Sequence, residues 1–348
     1  MSTLKVGLMG CGHIAQWVHV PVLTHLPDVA LVALAETDPE RLEKTRHFVP
    51  KAAVFDHYEK LLEMDEVEAV IICLPNLLHG EATIASLQQG KHVYLEKPLA
   101  TSLEQARRVL EVWQGTRLVG MIGFNYRFNP LYRAIQQHLK VGSLGNLVGG
   151  RSIFSTTGRN LPDWVQTRST GGGVLLNLAS HHADLISFFF GQKVREVFAS
   201  VRSLHSDEDS AMLQVRLSDG LIVQCFFSIS SIEEDRFEVY GQGGKLFVDR
   251  YRSLCVEISG PTVDSIRLGQ LWRGLKTLTH APYLLKKFRA PGHEPSYREA
   301  LTHFVTAARY HRPASPDFYD GMRSLMMTEA AEESARAGRP VTIPDPAV

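Results

Sequence analysis

The apolar run Leu4 to Met9 leads directly into Gly10-Cys11-Gly12-His13-Ile14-Ala15, a G-x-G-x-x-A turn between a first strand and what should be a first helix. Glycine suits such a turn because it accepts a tight backbone. Lacking a side chain, it also lets a pyrophosphate approach the main chain at a helix N-terminus, where N–H groups and the helix dipole stabilise negative charge. Glycines serve strand-to-helix turns that bind nothing as well, so the turn alone leaves both readings open. The next apolar run, Ala30 to Ala35, ends in Glu36. An acidic side chain after the second strand accepts hydrogen bonds from adenosine ribose hydroxyls; a solvated strand-end glutamate is the plainer reading. Thr37 follows, where an arginine would receive a 2′-phosphate. A carboxylate with no cation beside it repels such a phosphate, so NAD is expected in preference to NADP.

The elements that must position these residues are legible in the spacing. Strand-length apolar runs recur at Leu4 to Met9, Ala30 to Ala35, Ala69 to Leu74, His92 to Leu95 and Leu118 to Ile122, with helical stretches between them. That alternation predicts a doubly wound parallel sheet. Asp38 before Pro39 supplies a cap and a first-turn proline, Ser102 with Gln105 a capping box, and Gly90 the close of a helix begun near Leu77. After Gly123 the rhythm changes. Runs at Val194 to Val201, Ala211 to Leu217, Leu221 to Ile229, Phe237 to Tyr240 and Lys245 to Val248 come as neighbours, with Ser218-Asp219-Gly220 as a tight turn between two of them. Two helices, Pro295 to Tyr310 and Pro316 to Ala337, finish the chain. The expectation is an α/β dinucleotide-binding domain over 1–122 and an α+β domain over 123–348 with a large, mainly antiparallel sheet, the C-terminal helix packing back toward the first domain.

Composition limits what such a protein does. The 348 residues are 44% hydrophobic, enough for two cores. Lys plus Arg equals Asp plus Glu at 37 each, so no charge excess draws the chain to nucleic acid or an anionic membrane, and a small molecule is the expected partner. Cys11, Cys73, Cys225 and Cys255 lie far apart, without the C-x-x-C pairs of a zinc or redox site; no metal is expected. Met1 to Leu4 runs into a strand without the pattern of a secretory leader, from which a cytoplasmic location is expected. The longest apolar run, near Leu185 to Phe190, falls short of the roughly 20 residues a spanning helix takes.

Glu96-Lys97-Pro98, preceded by Gly90-Lys91-His92-Val93, resembles the glucose-fructose oxidoreductase and inositol dehydrogenase (Gfo/Idh/MocA) family. Leu74-Pro75-Asn76 with His79, Gly123-Phe124-Asn125-Tyr126-Arg127-Phe128-Asn129-Pro130, Gly171-Gly172-Gly173, Ser180-His181 to Asp184 and Asp320-Gly321 fall in the family's order. The likeness runs through nearly the whole chain, apart from a stretch near 262–292. It implies hydride transfer between nicotinamide and a carbinol or carbonyl carbon of a polyhydroxylated substrate, such as a sugar, inositol or nucleotide sugar. Such chemistry needs one group to hold the reacting oxygen and one to exchange its proton. By the resemblance, Lys97 takes the first part and His181 the second. The cofactor site would include Gly10, Gly12, His13, Ile14, Glu36, Thr37, Leu74, Pro75, Asn76, His79, Glu96 and Lys97. The substrate would meet Lys97, Tyr126, Arg127, Trp164, Asn177 and His181. Arg127 is equally readable as a substrate clamp or a structural salt bridge.

One position departs from the family. Where its members usually carry aspartate, four residues before His181, this chain has Asn177, and Ala179 replaces a glycine. On a regular helix that spacing puts Asn177 and His181 on one face. An amide orients an imidazole but contributes no charge, so a less basic His181 is expected, and Asn177 is counted with the catalytic residues. Two other functions share this fold: a nucleotide-sensing regulatory protein without catalysis, opposed by the presence of both Lys97 and His181, and an enzyme that retains NAD and oxidises transiently to cleave or eliminate. The resemblance also implies a homodimer or homotetramer paired through the second sheet. Finally, Arg267, Arg273, Lys276, Lys286, Lys287 and Arg289 fall in a stretch, 266–292, with no acidic residue up to Arg289 and interspersed leucines, readable as a basic lid or as a solvated or subunit-contact segment.

Overall fold

The computed structural model describes residues 3–158, 161–262 and 281–344, which divide into two compact units, 1–125 with 290–325 and 126–289 with 326–348. A single cut after 122 differs from this division because 290–325 cluster with the first unit. Phe304, on the helix Ser296–Tyr310, is fully buried edge-on against Tyr94, ring centroids 5.7 Å apart, and Ile122 N donates to Pro316 O at 3.1 Å.

The first unit holds a six-stranded parallel sheet: β1 (Leu4–Met9), β2 (Val29–Ala35), β3 (Ala53–Phe55), β4 (Ala69–Ile72), β5 (His92–Leu95) and β6 (Gly120–Ile122), in the order β3-β2-β1-β4-β5-β6. β4 and β5 are buried along their whole length, as strands covered by helices on both faces must be. The order reverses between β1 and β4, which opens a crevice at the carboxyl ends of the strands. The predicted helix starts stand. Asp38 accepts from Glu40 N and Arg41 N with Pro39 in the first turn, and Ser102 accepts from Gln105 N at 3.3 Å. β3 has no counterpart in the sequence reading; its three residues at the sheet edge are too few for a period.

The second unit is built on an eight-stranded sheet: β7 (Leu147–Ser155), β8 (Val194–Arg202), β9 (Ser210–Leu217), β10 (Ile222–Ser228), β11 (Glu234–Gly241), β12 (Gly244–Asp249), β13 (Glu257–Ser259) and β14 (Val341–Thr342). Of the expected neighbours, β8 and β9, β9 and β10, and β11 and β12 pair antiparallel, while β10 and β11 do not pair; the β9–β10 turn at Ser218-Asp219-Gly220 closes with Leu217 N on Leu221 O at 2.8 Å. β7, unassigned in the sequence, inserts between β10 and β11 and runs parallel to β10. Its Gly149-Gly150-Arg151 breaks the apolar run that marks the other strands. The alternation of β9, exposed at Met212 and buried at Leu213, shows one face turned to the core and the other outward. Among the described residues, no helix is long and apolar enough to cross a membrane.

Candidate active site

In the first unit the candidate residues collect at the carboxyl ends of β1, β2, β4 and β5. Gly10 has φ of +91°, and a Cβ there would stand 2.5 Å from Cys73 O, so only glycine fits. Gly12 is the opposite case: a Cβ would meet nothing within 4 Å. Its lack of a side chain answers no need of the protein and leaves main chain open to a ligand at the start of the helix. Cys11 N donates to Glu36 Oε2 at 2.7 Å, while Thr37 Oγ1 and Asp38 N reach Glu36 Oε1 at 3.3 and 3.1 Å. The carboxylate is thereby anchored against the turn, with lone-pair capacity left for a diol. These features fit an NAD adenosine and pyrophosphate.

The helix after the turn contains a π stretch, Ala15–His19, before continuing through Val20–Leu23. Exposed His13 stacks on Trp17, which is 63% exposed, and Ile14 is half-buried. The π stretch ends at fully buried His19, whose Nε2 is 2.8 Å from the Oε1 of buried Glu96. His19 escaped the sequence reading; its only signal is an ionisable residue inside Val18-His19-Val20.

After β4, Leu74 and Pro75 lead into buried Asn76 and His79. His79 Nδ1 lies 2.7 Å from Pro98 O and Nε2 2.9 Å from Leu74 O. Burial lowers its pKa, against the two carbonyls, which favour the cation. With both nitrogens engaged, His79 ties the β4 end to the Glu96-Lys97-Pro98 segment. Burial likewise lowers the Lys97 ammonium below the ordinary lysine value, opposed by the Glu96 carboxylate.

In the second unit, Gly171-Gly172-Gly173 opens a helix with its own π stretch, Leu175–Ala179, followed by Ser180–Phe190. A Cβ on Gly172 would stand 2.3 Å from Val165 O, so the close crossing there needs glycine. Asn177 lies inside the π stretch and not on a regular helical face, and its Nδ2 donates to Gly173 O at 2.9 Å. His181, 8% exposed, stacks on Tyr126 with centroids 4.5 Å apart and planes at 19°. Arg127 pairs with a carboxylate: its Nε donates to Asp184 Oδ2 at 2.8 Å and its second nitrogen to Oδ1. Trp164 is half-buried in a short 3₁₀ turn, its carbonyl accepting from Thr170 Oγ1 at 2.8 Å.

A buried network beside His181 was not foreseen. Asp235 accepts from Arg250 Nε at 2.6 Å and from the Tyr132 hydroxyl, and its Oδ1 lies 3.1 Å from His182 Nε2. His182 Nδ1 is 2.6 Å from Ser152 Oγ. Burial alone would raise the Asp235 carboxyl, but Arg250, His182 and Tyr132 hold it below the ordinary range. Ser152, His182 and Asp235 line up as hydroxyl, imidazole and carboxylate, yet each is 0% exposed, so no substrate carbonyl can reach them.

The four cysteines are free, and burial pushes the thiols of Cys11 and Cys225 up to about 11 and about 12. Among the described residues, no group of three or more His, Cys, Asp or Glu could hold a metal ion. Of the basic segment, Arg267, Arg273 and Lys276 lie outside the described residues; Lys287 Nζ donates to Arg250 O at 2.7 Å and Tyr251 O at 3.0 Å.

The fold and these residues define a class: a Rossmann unit with a dinucleotide turn, joined to a unit on a large mixed sheet. Residues 4–124 match the model of an oxidoreductase family with an NAD-binding Rossmann fold, and residues 132–247 match the GFO/IDH/MocA C-terminal domain. The chain belongs to the Gfo/Idh/MocA family and is an oxidoreductase. It is 25% identical to a myo-inositol 2-dehydrogenase of Thermotoga maritima, covering 98% of each chain. It is 29% identical to a dTDP-3,4-didehydro-2,6-dideoxy-alpha-D-glucose 3-reductase of Actinomadura kijaniata, over 72% of this chain and 75% of that one. A levoglucosan dehydrogenase solved with NADH and levoglucosan shares the fold at a TM-score of 0.84 and 20% identity, over 99% of this chain and 100% of that one.

Proposed function

We propose that the protein is an NAD-dependent dehydrogenase or reductase acting on a CH–OH group of a sugar, inositol or nucleotide-sugar-like substrate. The observation that carries this is the pairing of Gly12, open to a ligand, with Glu36 anchored beside the same turn. Relatives named as inositol and deoxysugar oxidoreductases support the substrate class. Nicotinamide, when bound, supplies or accepts the hydride. Lys97, with its ammonium pushed toward the neutral form by burial, binds the reacting oxygen. His181 takes the hydroxyl proton in oxidation and returns it in reduction.

The part through 122 binds the cofactor, and the part from 123 onward meets the substrate. Glu36 supports preference for NAD, because its carboxylate repels a 2′-phosphate. The outward face of the second sheet, with Met212 63% and Phe198 41% exposed, supports pairing into a homodimer or homotetramer. The free cysteines support a cytoplasmic, reducing location.

Fluorescence titration with NADH and NADPH, followed by absorbance screening of inositols, aldoses, levoglucosan and nucleotide sugars for NAD reduction, tests the proposal. Tighter NADH binding and released NADH are expected. Equal binding of NADPH would overturn the role of Glu36. Nicotinamide carried through purification with no net turnover would overturn the dehydrogenase reading in favour of transient oxidation.

A further inference from the structure

An imidazole that must pass a proton to one particular oxygen needs a fixed ring plane, because small misplacements of a reacting group cost large factors in rate. His181 lies on a helix whose first turns are π, with a wider path than α, so the helix backbone alone is a poor guarantor of its direction. Two aromatic rings pack against the imidazole. Tyr126 lies against it at 4.5 Å, nearly parallel, and Phe154 meets it edge-on at 6.2 Å.

Tyr126 is itself fixed. The Arg250 guanidinium sits over the same tyrosine ring, 4.5 Å from its centroid. Arg250 is in turn held by Asp235, fully buried, which also binds the Tyr132 hydroxyl and His182. The Tyr132 ring lies 5.7 Å from that of Tyr126. Three elements converge on this ring: the 3₁₀ turn Asn125–Phe128 that carries it, the helix Pro130–Lys140 that carries Tyr132, and β11 with Asp235.

We propose that Tyr126 is a positioning residue: a platform that the Arg250–Asp235 pair holds in place and that sets the plane of the His181 imidazole. This rests on the proton-transfer role of His181 proposed above. It also reassigns Tyr126, which the sequence placed among substrate contacts. The ring is the working part and the phenol hydroxyl is not.

Two measurements on the NADH-bound protein test it. The first needs no substrate. In protein carrying [13C]ε1-histidine, the His181 resonance, identified by its loss in His181→Ala, should show the ring-current shift of a stacked aromatic. The shift should persist in Tyr126→Phe and vanish in Tyr126→Leu. An unmoved His181 resonance in Tyr126→Leu would overturn the platform whatever the protein's activity.

The second is kinetic, with whichever of myo-inositol, levoglucosan or a dTDP-hexose reduces NAD. Tyr126→Leu should lower kcat by about tenfold to a hundredfold with KM and NADH affinity unchanged, and Tyr126→Phe should recover the rate. On a His181→Ala background, Tyr126→Leu should add nothing, since both losses act through one ring. A raised KM in Tyr126→Phe would make Tyr126 a substrate contact and end the proposal. Failure of all three substrates would count against the dehydrogenase reading, with the platform still decided by the resonance.

Discussion

Two helices, one in each unit, begin alike and are held differently. Each follows a glycine turn, Gly10 to Gly12 in one and Gly171 to Gly173 in the other, and each has a five-residue π stretch near its start. In the first unit the stretch ends at His19, which is bonded to the Glu96 carboxylate. In the second, the histidine that follows the stretch lies on a tyrosine ring, and the polar residue within the stretch is an amide, Asn177. A carboxylate fixes an imidazole through a directed bond to one nitrogen; a ring face fixes the plane of the imidazole by contact. The first arrangement suits a scaffold beneath a cofactor, the second a group that must gain and lose a proton.

The two glycine turns give the largest expected effect. Gly10→Ala should abolish soluble folded protein, because its methyl would overlap the carbonyl of Cys73 in a backbone conformation alanine resists. Gly12→Ala should leave the thermal midpoint of the unliganded protein unchanged and weaken NADH binding in a fluorescence titration. Equal damage to both properties by the two variants would contradict an open approach at Gly12.

The buried carboxylates come next. Asp235→Ala leaves Arg250 and His182 without their shared partner and should cost about 3–5 kcal/mol in urea unfolding. Glu96→Gln keeps an acceptor for His19 and should cost about 1 kcal/mol. Equal losses would mean that the two networks carry comparable charge.

Giving the second histidine a carboxylate, as His19 has in Glu96, sharpens the contrast. Asn177→Asp adds a negative charge four residues before His181, so the acid limb of the pH–rate profile should move upward; an unmoved limb would remove Asn177 from the acid/base apparatus.

A separate effect concerns His92, far along the chain from either turn. Its Nδ1 accepts from Val119 N at 2.9 Å, and burial, with His311 alongside, lowers its pKa from 6.5 to about 4. The unfolded chain therefore takes up this proton at higher pH than the folded one. Stability should fall as pH drops from 6.5 toward 4 and level off below that. His92→Asn keeps the acceptor without the titration, and its urea midpoint should fall less over that window; parallel curves would contradict the assignment.

Local chemistry explains what was legible in the sequence. The glycine turn, the caps at Asp38 and Ser102 and the Asp219-Gly220 turn each depend on residues a few positions apart. The partners that decide roles do not: His19 and Glu96 are 77 residues apart, Tyr132 and Asp235 103, Arg127 and Asp184 57. The carboxylate paired with Arg127 was therefore not legible, and the π stretch around Asn177 left no mark, since helix periodicity does not register one wide turn. β7 was lost for a related reason: a strand paired on both sides within its sheet can carry Gly149-Gly150 because its neighbours supply the hydrogen bonds.

In the proposed mechanism His181 moves the proton while the glycine turn and Glu36 only hold the cofactor. The most direct test is His181→Ala, assayed by NADH absorbance with a substrate found in the screen and by NADH titration on the same preparation. Turnover should fall by about a hundredfold to ten-thousandfold with NADH affinity unchanged. Near-normal turnover, or a loss of rate matched by a loss of NADH binding, would contradict it.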